Sequence, residues 1–215
     1  MITNGYCTLA QIRSHLGYQP AETADDTQLE LCVNAASRQI DGYCGRRFWQ
    51  DGTAVAREYF PDSATEVCTD DISTLTGLVV KVDIDLDGVF ESTLTINTDF
   101  QPHPRNALLE VPACPYTELK IVPVGSQAFF PRAMYGRASV QVTAKFGWPA
   151  IPDDVTMACL IQSAALFKSQ DAVFGAVALG DTGGVMFSPG RVIATARALL
   201  DGGPPGTPYR KAAVG

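Results

Sequence analysis

The sequence predicts an α+β protein, a small bundle of about four helices carrying a large inserted antiparallel β region. Three observations carry this reading. Apolar residues recur at helical spacing through the first 50 residues, alternate one by one between about Arg57 and Phe146, and return to helical runs from Asp153 onward. Prolines at 61, 102, 104, 112, 115, 123 and 131 cut the middle stretch into short pieces suited to strands and turns. The expected organisation is a helical bundle from residues 1–50 and 150–202, a β-rich insertion over 51–149 and an extended C-terminal tail over 203–215.

The first helix starts at Thr8, whose hydroxyl caps the backbone while Gln11 reaches back as its capping-box partner, and it stops at Gly17. A second starts at Asp25-Asp26 and buries Leu29, Cys32, Val33, Ala36, Ile40 and Tyr43 as one stripe. Gly42 and Gly45 weaken its end, where Arg46 and Arg47 suit a helix C-terminus and equally suit contact with a partner. In the β region, Val80, Val82, Ile84 and Leu86 alternate with polar residues, and Phe90, Ser92, Leu94 and Ile96 resume the alternation after Gly88. A hairpin follows, with an odd-length turn around Asp87-Gly88-Val89 pairing Ile84 with Ser92, Val82 with Leu94 and Val80 with Ile96. Glu118–Val124 and Ala138–Phe146 supply further strands.

Gly147-Trp148-Pro149-Ala150-Ile151-Pro152 is a rigid turn into an acidic helix start. The helix from about Asp153 to Ser169 has almost no polar face, so its own fold or neighbouring subunits must cover it on several sides. Val155, Leu160, Ile161 and Phe167 are the expected subunit-packing residues. Gly175–Gly184 is a glycine-rich connection without the Lys-Ser/Thr ending of a phosphate loop. Ser188-Pro189 then caps a last helix with Val192, Ile193, Ala196, Leu199 and Leu200 inside, stopped by Asp201-Gly202-Gly203.

At 215 residues with 46% hydrophobic and 18% charged residues, the chain is expected to fold without staples and without crossing a membrane. Its first residues lack the basic start and apolar run of a secretory signal, which predicts a protein that stays in a reducing cytosol. The six cysteines, no two closer than 12 residues, read as small buried hydrophobes. A net charge of −7 argues against a surface that grips a phosphate backbone. Only His15 and His103 are present, on a short helix and in a Pro-His-Pro turn, and no nucleophile, base and orienting group stand at a recognisable spacing. No enzyme activity and no cofactor are therefore expected. Asp83-x-Asp85-x-Asp87-Gly88 matches the opening of a calcium loop, but the twelfth position is Leu94 where a bidentate Glu belongs. Strand alternation places the three aspartates on one solvated face, with Asp85 opposite Glu91. Asp83, Asp85, Asp87 and Glu91 are thus weak metal candidates. They define an alternative reading, a calcium-dependent β-type binding module, with Tyr116, Phe129, Phe130, Tyr135 and Trp148 facing a ligand.

Three segments taken in order, Asp26 through Phe48, Val140 through Pro149, and Leu166 through Gly175, make the chain resemble the head-tail connector (adaptor) proteins of long-tailed bacteriophages. That resemblance implies a structural virion protein of the neck, assembled in the bacterial host cytoplasm. It implies a ring of about twelve subunits below the portal, a closed arrangement in which neighbours cover apolar flanks. The implied partners are the portal protein, head-completion (stopper) or tail proteins, and double-stranded DNA that passes without specific binding. It further implies a C-terminal segment that reaches the portal. Here the segment would offer Tyr209 as an aromatic anchor and Arg210 and Lys211 as cations.

Overall fold

A computed structural model describes residues 1–19, 21–124, 129–132, 136–169, 176–177, 185–186, 192–203 and 208–211. The chain divides into two compact units, one of residues Met1–Trp49 and Ile151–Gly215, the other of Gln50–Ala150. Helices build the first and two antiparallel sheets the second, so the fold class is α+β.

In the helical unit, α1 (Leu9–Leu16) opens with the expected capping box. The Gln11 amide N–H donates to Thr8 Oγ1 at 3.2 Å, and Gln11 Oε1 accepts the Thr8 N–H at 2.7 Å. Gly17, at φ +80°, closes it. Helix α2 (Asp26–Cys44) buries Leu29, Cys32, Val33, Ala36, Ile40 and Cys44 along one stripe and ends at Gly45 in the left-handed region. Helix α3 (Asp153–Ser169) packs on α1, α2 and α4 (Ala194–Leu200). The apolar surface of α3 is covered mainly by its own unit: Val155, Ala158, Cys159, Leu160 and Ala164 are buried. Gln162 is buried among them with both ends of its amide used. Its Nε2 donates to Gln39 Oε1 at 2.7 Å and its Oε1 accepts the Ile193 N–H at 2.9 Å, which ties α3 to α2 and to the start of α4.

The last helix starts later than the periodicity predicts. Its N-cap is Ile193, with Val192 buried ahead of it, while Ser188 and Pro189 lie outside the described residues. Of the glycine-rich connection, β8 (Ala176–Val177) pairs antiparallel with β9 (Val185–Met186).

In the second unit, one sheet has the order β1 (Val55–Tyr59), β7 (Val140–Ala144), β3 (Val79–Val82), β4 (Ser92–Leu94). The other has β2 (Glu66–Ile72), β6 (Tyr116–Ile121), β5 (Phe100–His103). Val140, Val142 and Ala144 are buried while Gln141 and Thr143 are half-exposed, the alternation of a half-buried strand. Val80, Val82, Leu94, Val67, Leu119, Phe100, Phe146 and Trp148 are also among the unit's buried apolar residues. His103 belongs to β5, opposite Glu118, instead of standing in a turn. Pro102 is tolerated beside it because β5 is an edge strand, where a missing N–H breaks no inner ladder.

The hairpin register differs from expectation by two residues. Val80 pairs with Leu94, Lys81 with Thr93 and Val82 with Ser92. The cause is Asp83, which is fully buried instead of solvated. Its Oδ1 accepts the Leu86 N–H at 2.7 Å and its Oδ2 the Gly88 N–H at 2.8 Å. An aspartate that captures nearby N–H groups ends a ladder, so β3 stops at Val82 and residues 83–91 form a loop with Leu86 at φ +62°. Ile84, expected on the buried face, is 53% exposed.

Candidate partner-binding surface

The C-terminal end of α2 gathers residues that the sequence offers as two separate candidates, Arg46 with Arg47 and Tyr209 with Arg210 and Lys211. Gly45 turns the chain out of the helix, and residues 208–211 return along it. The Lys211 N–H donates to the Cys44 carbonyl at 2.8 Å, and Arg46 Nη1 donates to the Pro208 carbonyl at 2.8 Å. The Arg210 guanidinium lies 5.0 Å from the centre of the Tyr43 ring, and that of Arg47 lies 4.1 Å from the Trp49 ring. Gly203 makes the return path possible: at φ +127° a Cβ there would stand 2.7 Å from the Tyr209 nitrogen. Four cations therefore collect at one helix end in a chain of net charge −7, where they also complement the negative pole of α2.

Tyr209 requires a correction. Expected as an exposed anchor on an extended tail, it is 1% exposed and part of the core of the helical unit. Its ring meets Phe48 edge-on at 5.8 Å, Phe48 meets Tyr6 at 5.7 Å, and the Tyr209 hydroxyl donates to Asp154 Oδ2 at 3.1 Å. Beneath them the Tyr6 hydroxyl donates to Asp41 and accepts the Phe48 N–H at 2.8 Å, while Arg38 Nε pairs with Asp41 at 3.0 Å. Burial, reinforced by Asp41, holds the Tyr6 phenol well above its ordinary range. Burial also pushes the Asp41 carboxyl up, against the pull of Tyr6, Arg38 and Arg47. Only Arg210 of the three tail residues is exposed, Lys211 being half-buried. Nothing in the composition of residues 203–215 signalled this docking. Phe48 and Asp154, the groups that receive Tyr209, are far from it in sequence.

The expected subunit-packing residues separate in the same way. Val155 and Leu160 are buried inside their own unit, so neither is free to meet a neighbour. Ile161 and Phe167 are half-exposed, Phe167 lying edge-on to Tyr18 at 6.5 Å. Met157 on α3 and Leu31 on α2 are exposed, at 45% and 58%, and sequence reasoning missed both. They interrupt otherwise well-formed patterns and carry no signal apart from the fold.

Asp83, Asp85, Asp87 and Glu91 bring one carboxylate oxygen each within 4.8 Å of one another. The loop's own backbone uses much of this acceptor capacity. Besides the two bonds to Asp83, Asp87 Oδ1 accepts the Val89 N–H at 2.7 Å and Glu91 Oε1 the Ile84 N–H at 3.2 Å. Of the aromatics in the binding-module alternative, Tyr116, Phe130 and Trp148 are buried, Phe129 is 54% exposed, and Tyr135 lies outside the described residues. His15 is exposed on α1. No helix among the described residues is long and apolar enough to cross a membrane.

Comparison of the sequence with family profiles and with curated proteins finds no match. Among solved structures, the chain shares its fold with a protein in the neck of an empty gene transfer agent particle, a structure computed with six-fold symmetry. The TM-score is 0.51 at 17% identity, over 93% of this chain and 91% of that one. A chain in the virion of a native gene transfer agent particle aligns with a TM-score of 0.47 at 20% identity, over 93% and 91% of the two chains.

Proposed function

We propose that this chain is a structural virion protein, a head-tail connector that forms a ring under the portal, provides the DNA passage and presents the platform to which the tail attaches. The observation that carries the reading is the fold shared with a particle-neck protein over 93% of the chain. It runs through both the helical and the β unit, as a whole-chain role requires. The ordered resemblance of three segments to phage connectors supports the same role. The six-fold symmetry belongs to the neighbour's neck; a ring of about twelve copies contains a six-fold axis and is compatible with it.

In this reading Arg46, Arg47, Arg210 and Lys211 contact the portal, while Met157, Ile161 and Phe167 on α3 face adjoining subunits. Tyr209 acts indirectly by holding the C-terminal segment in place. The net charge of −7 suits a conduit, because acidic walls let a phosphate backbone slide where basic walls would hold it. The role is structural and needs no catalytic group.

Purified particles from the producing bacterium test the proposal. Quantitative mass spectrometry should find the chain in several copies per particle, and antibody labelling should place it at the head-tail junction. A protein confined to the cytosol and absent from particles overturns the reading. Arg210→Glu combined with Lys211→Glu should leave the fold intact while lowering the yield of tailed particles. An unchanged yield would move the portal contact elsewhere.

A further inference from the structure

Cys7 stands immediately before the Thr8 cap of α1, and Cys159 lies in the second turn of α3. They are 152 residues apart in sequence, yet their sulfurs are 3.5 Å apart and both residues are buried. The surroundings of Cys159 are polar for a helical core. Ser37 Oγ lies 3.5 Å and Ser163 Oγ 3.8 Å from its sulfur. Ser37 is itself fixed, accepting the Tyr6 N–H at 3.1 Å and donating to the Val33 carbonyl at 2.7 Å.

We propose that Cys7 and Cys159 form a dithiol that a small hydroperoxide converts into an intramolecular disulfide, tying the N-terminal segment to α3. The inference stands on the thiol geometry and is independent of the neck reading. The hydrogen bond from Cys7, helped by the Ser163 hydroxyl, holds the Cys159 thiol below its ordinary range against the effect of burial, while Cys7 is pushed up. Cys159 is therefore the attacking thiolate and Cys7 the resolving thiol. Cys32, Cys44 and Cys68 are shifted the other way. Burial raises Cys32, and it pushes Cys44 up to about 12. Cys68, though exposed, is pushed up to about 11 by partial burial and by its hydrogen bond to Asp62.

With hydrogen peroxide the chemistry balances in two steps. The Cys159 thiolate attacks one peroxide oxygen, an S–O bond forms as the O–O bond breaks, and the departing hydroxide takes up a proton as water. Cys7 then attacks the sulfenic sulfur of Cys159. The S–S bond forms, the S–O bond breaks, and the hydroxyl leaves with the proton of Cys7 as a second water. Two thiols have lost two hydrogen atoms, and the peroxide has been reduced to two waters. Closing the sulfurs from 3.5 Å to a bond of about 2.05 Å asks for a small shift. Cys7 lies in an irregular segment, outside helix and strand, where such a shift is least opposed. Hydrogen peroxide, close to water in size, is the oxidant suited to a buried pair.

The full-length protein is treated with hydrogen peroxide, unfolded, alkylated and digested without reduction. The expected product is a linked peptide pair containing Cys7 and Cys159, lighter by two hydrogen atoms than the free peptides and formed before any oxidation of Cys68. Thermal unfolding of the oxidised protein should move upward, and dithiothreitol should reverse the shift. Cys68→Ser, which leaves the helical core untouched, should cross-link to the same extent. Recovery of Cys7 and Cys159 as alkylated thiols while Cys68 is oxidised overturns the proposal. Oxidation of Cys159 to sulfinic acid without a cross-link overturns it equally.

Discussion

Tyr6 shows how one side chain joins the helical unit. Its ring packs on Phe48, its hydroxyl donates to Asp41, and it accepts the Phe48 N–H. The folded state holds the phenol proton more tightly than the unfolded chain does, because burial and the neighbouring carboxylate both oppose the phenolate. A pKa raised on folding contributes stability that is complete below the unfolded value and lost as pH rises. The loss therefore begins near the ordinary tyrosine value of about 10, at roughly 1.4 kcal/mol per pH unit. Tyr6→Phe removes this slope. It also removes the hydroxyl that accepts the buried Phe48 N–H and donates to Asp41, which keeps its ion pair with Arg38, at a cost of about 1–3 kcal/mol near neutrality. Urea unfolding of both proteins between pH 7 and about pH 11 checks both effects. The curves should converge as pH rises, and curves that stay parallel would show that the phenol contributes nothing to the pH dependence.

At the scale of elements, the C-terminal segment is part of the fold, contrary to the expectation of an extended tail over 203–215. Tyr209 fills the space beside Phe48, and large aromatic-to-alanine changes in cores cost roughly 3–5 kcal/mol. Truncation after Gly202 and Tyr209→Ala should therefore both lower the thermal midpoint strongly. Tyr209→Phe, which loses only the bond to Asp154, should cost about 1 kcal/mol. Equal stability of the truncated and full-length proteins would return the segment to the status of a free tail. The acidic loop runs the other way, because its carboxylates already have backbone donors. Millimolar calcium against EDTA should shift the midpoint little, whereas Asp83→Ala, which orphans two N–H groups, should destabilise the β unit by about 2 kcal/mol or more. A large upward shift with calcium would make the loop a metal site. These two elements also mark how far sequence reading reaches. The α1 capping box and the α2 stripe were legible because their cause is local, a side chain and the backbone within one turn. The hairpin register and the place of Tyr209 were not. One depends on a buried aspartate overriding strand alternation, the other on a pocket assembled from residues 48 and 154. Arg46 and Arg47 could be singled out as cations at a helix end, but only the returning chain shows that Arg210 and Lys211 join them.

For the molecule as a whole, the decisive feature is that the chain leaves the helical unit after Trp49 and re-enters it at Ile151, with one compact unit folded in between. A stretch of about 100 residues is long enough to bury a core of its own. Residues 50–150 do so, with Val67, Val80, Val82, Leu94, Phe100, Leu119, Val140, Val142, Phe146 and Trp148 all buried. The two sheets of this unit are also joined by hydrogen bonds inside it. The Ser73 N–H donates to the Lys145 carbonyl at 3.0 Å and the Gly147 N–H to the Asp71 carbonyl at 2.7 Å, so β2 and the end of β7 hold each other without help from the helices. A fragment of residues 50–150 should therefore fold alone and unfold cooperatively. Trp148, fully buried, is its single tryptophan, because Trp49 falls outside the fragment. Its fluorescence should be blue-shifted in the folded fragment and move red in one step with urea, in parallel with loss of the β-sheet circular dichroism. Red-shifted emission in the absence of urea would show that the β unit depends on the helical unit for its core. An independent transition would instead make the insertion a separable module, which the helical unit carries into whatever assembly it enters.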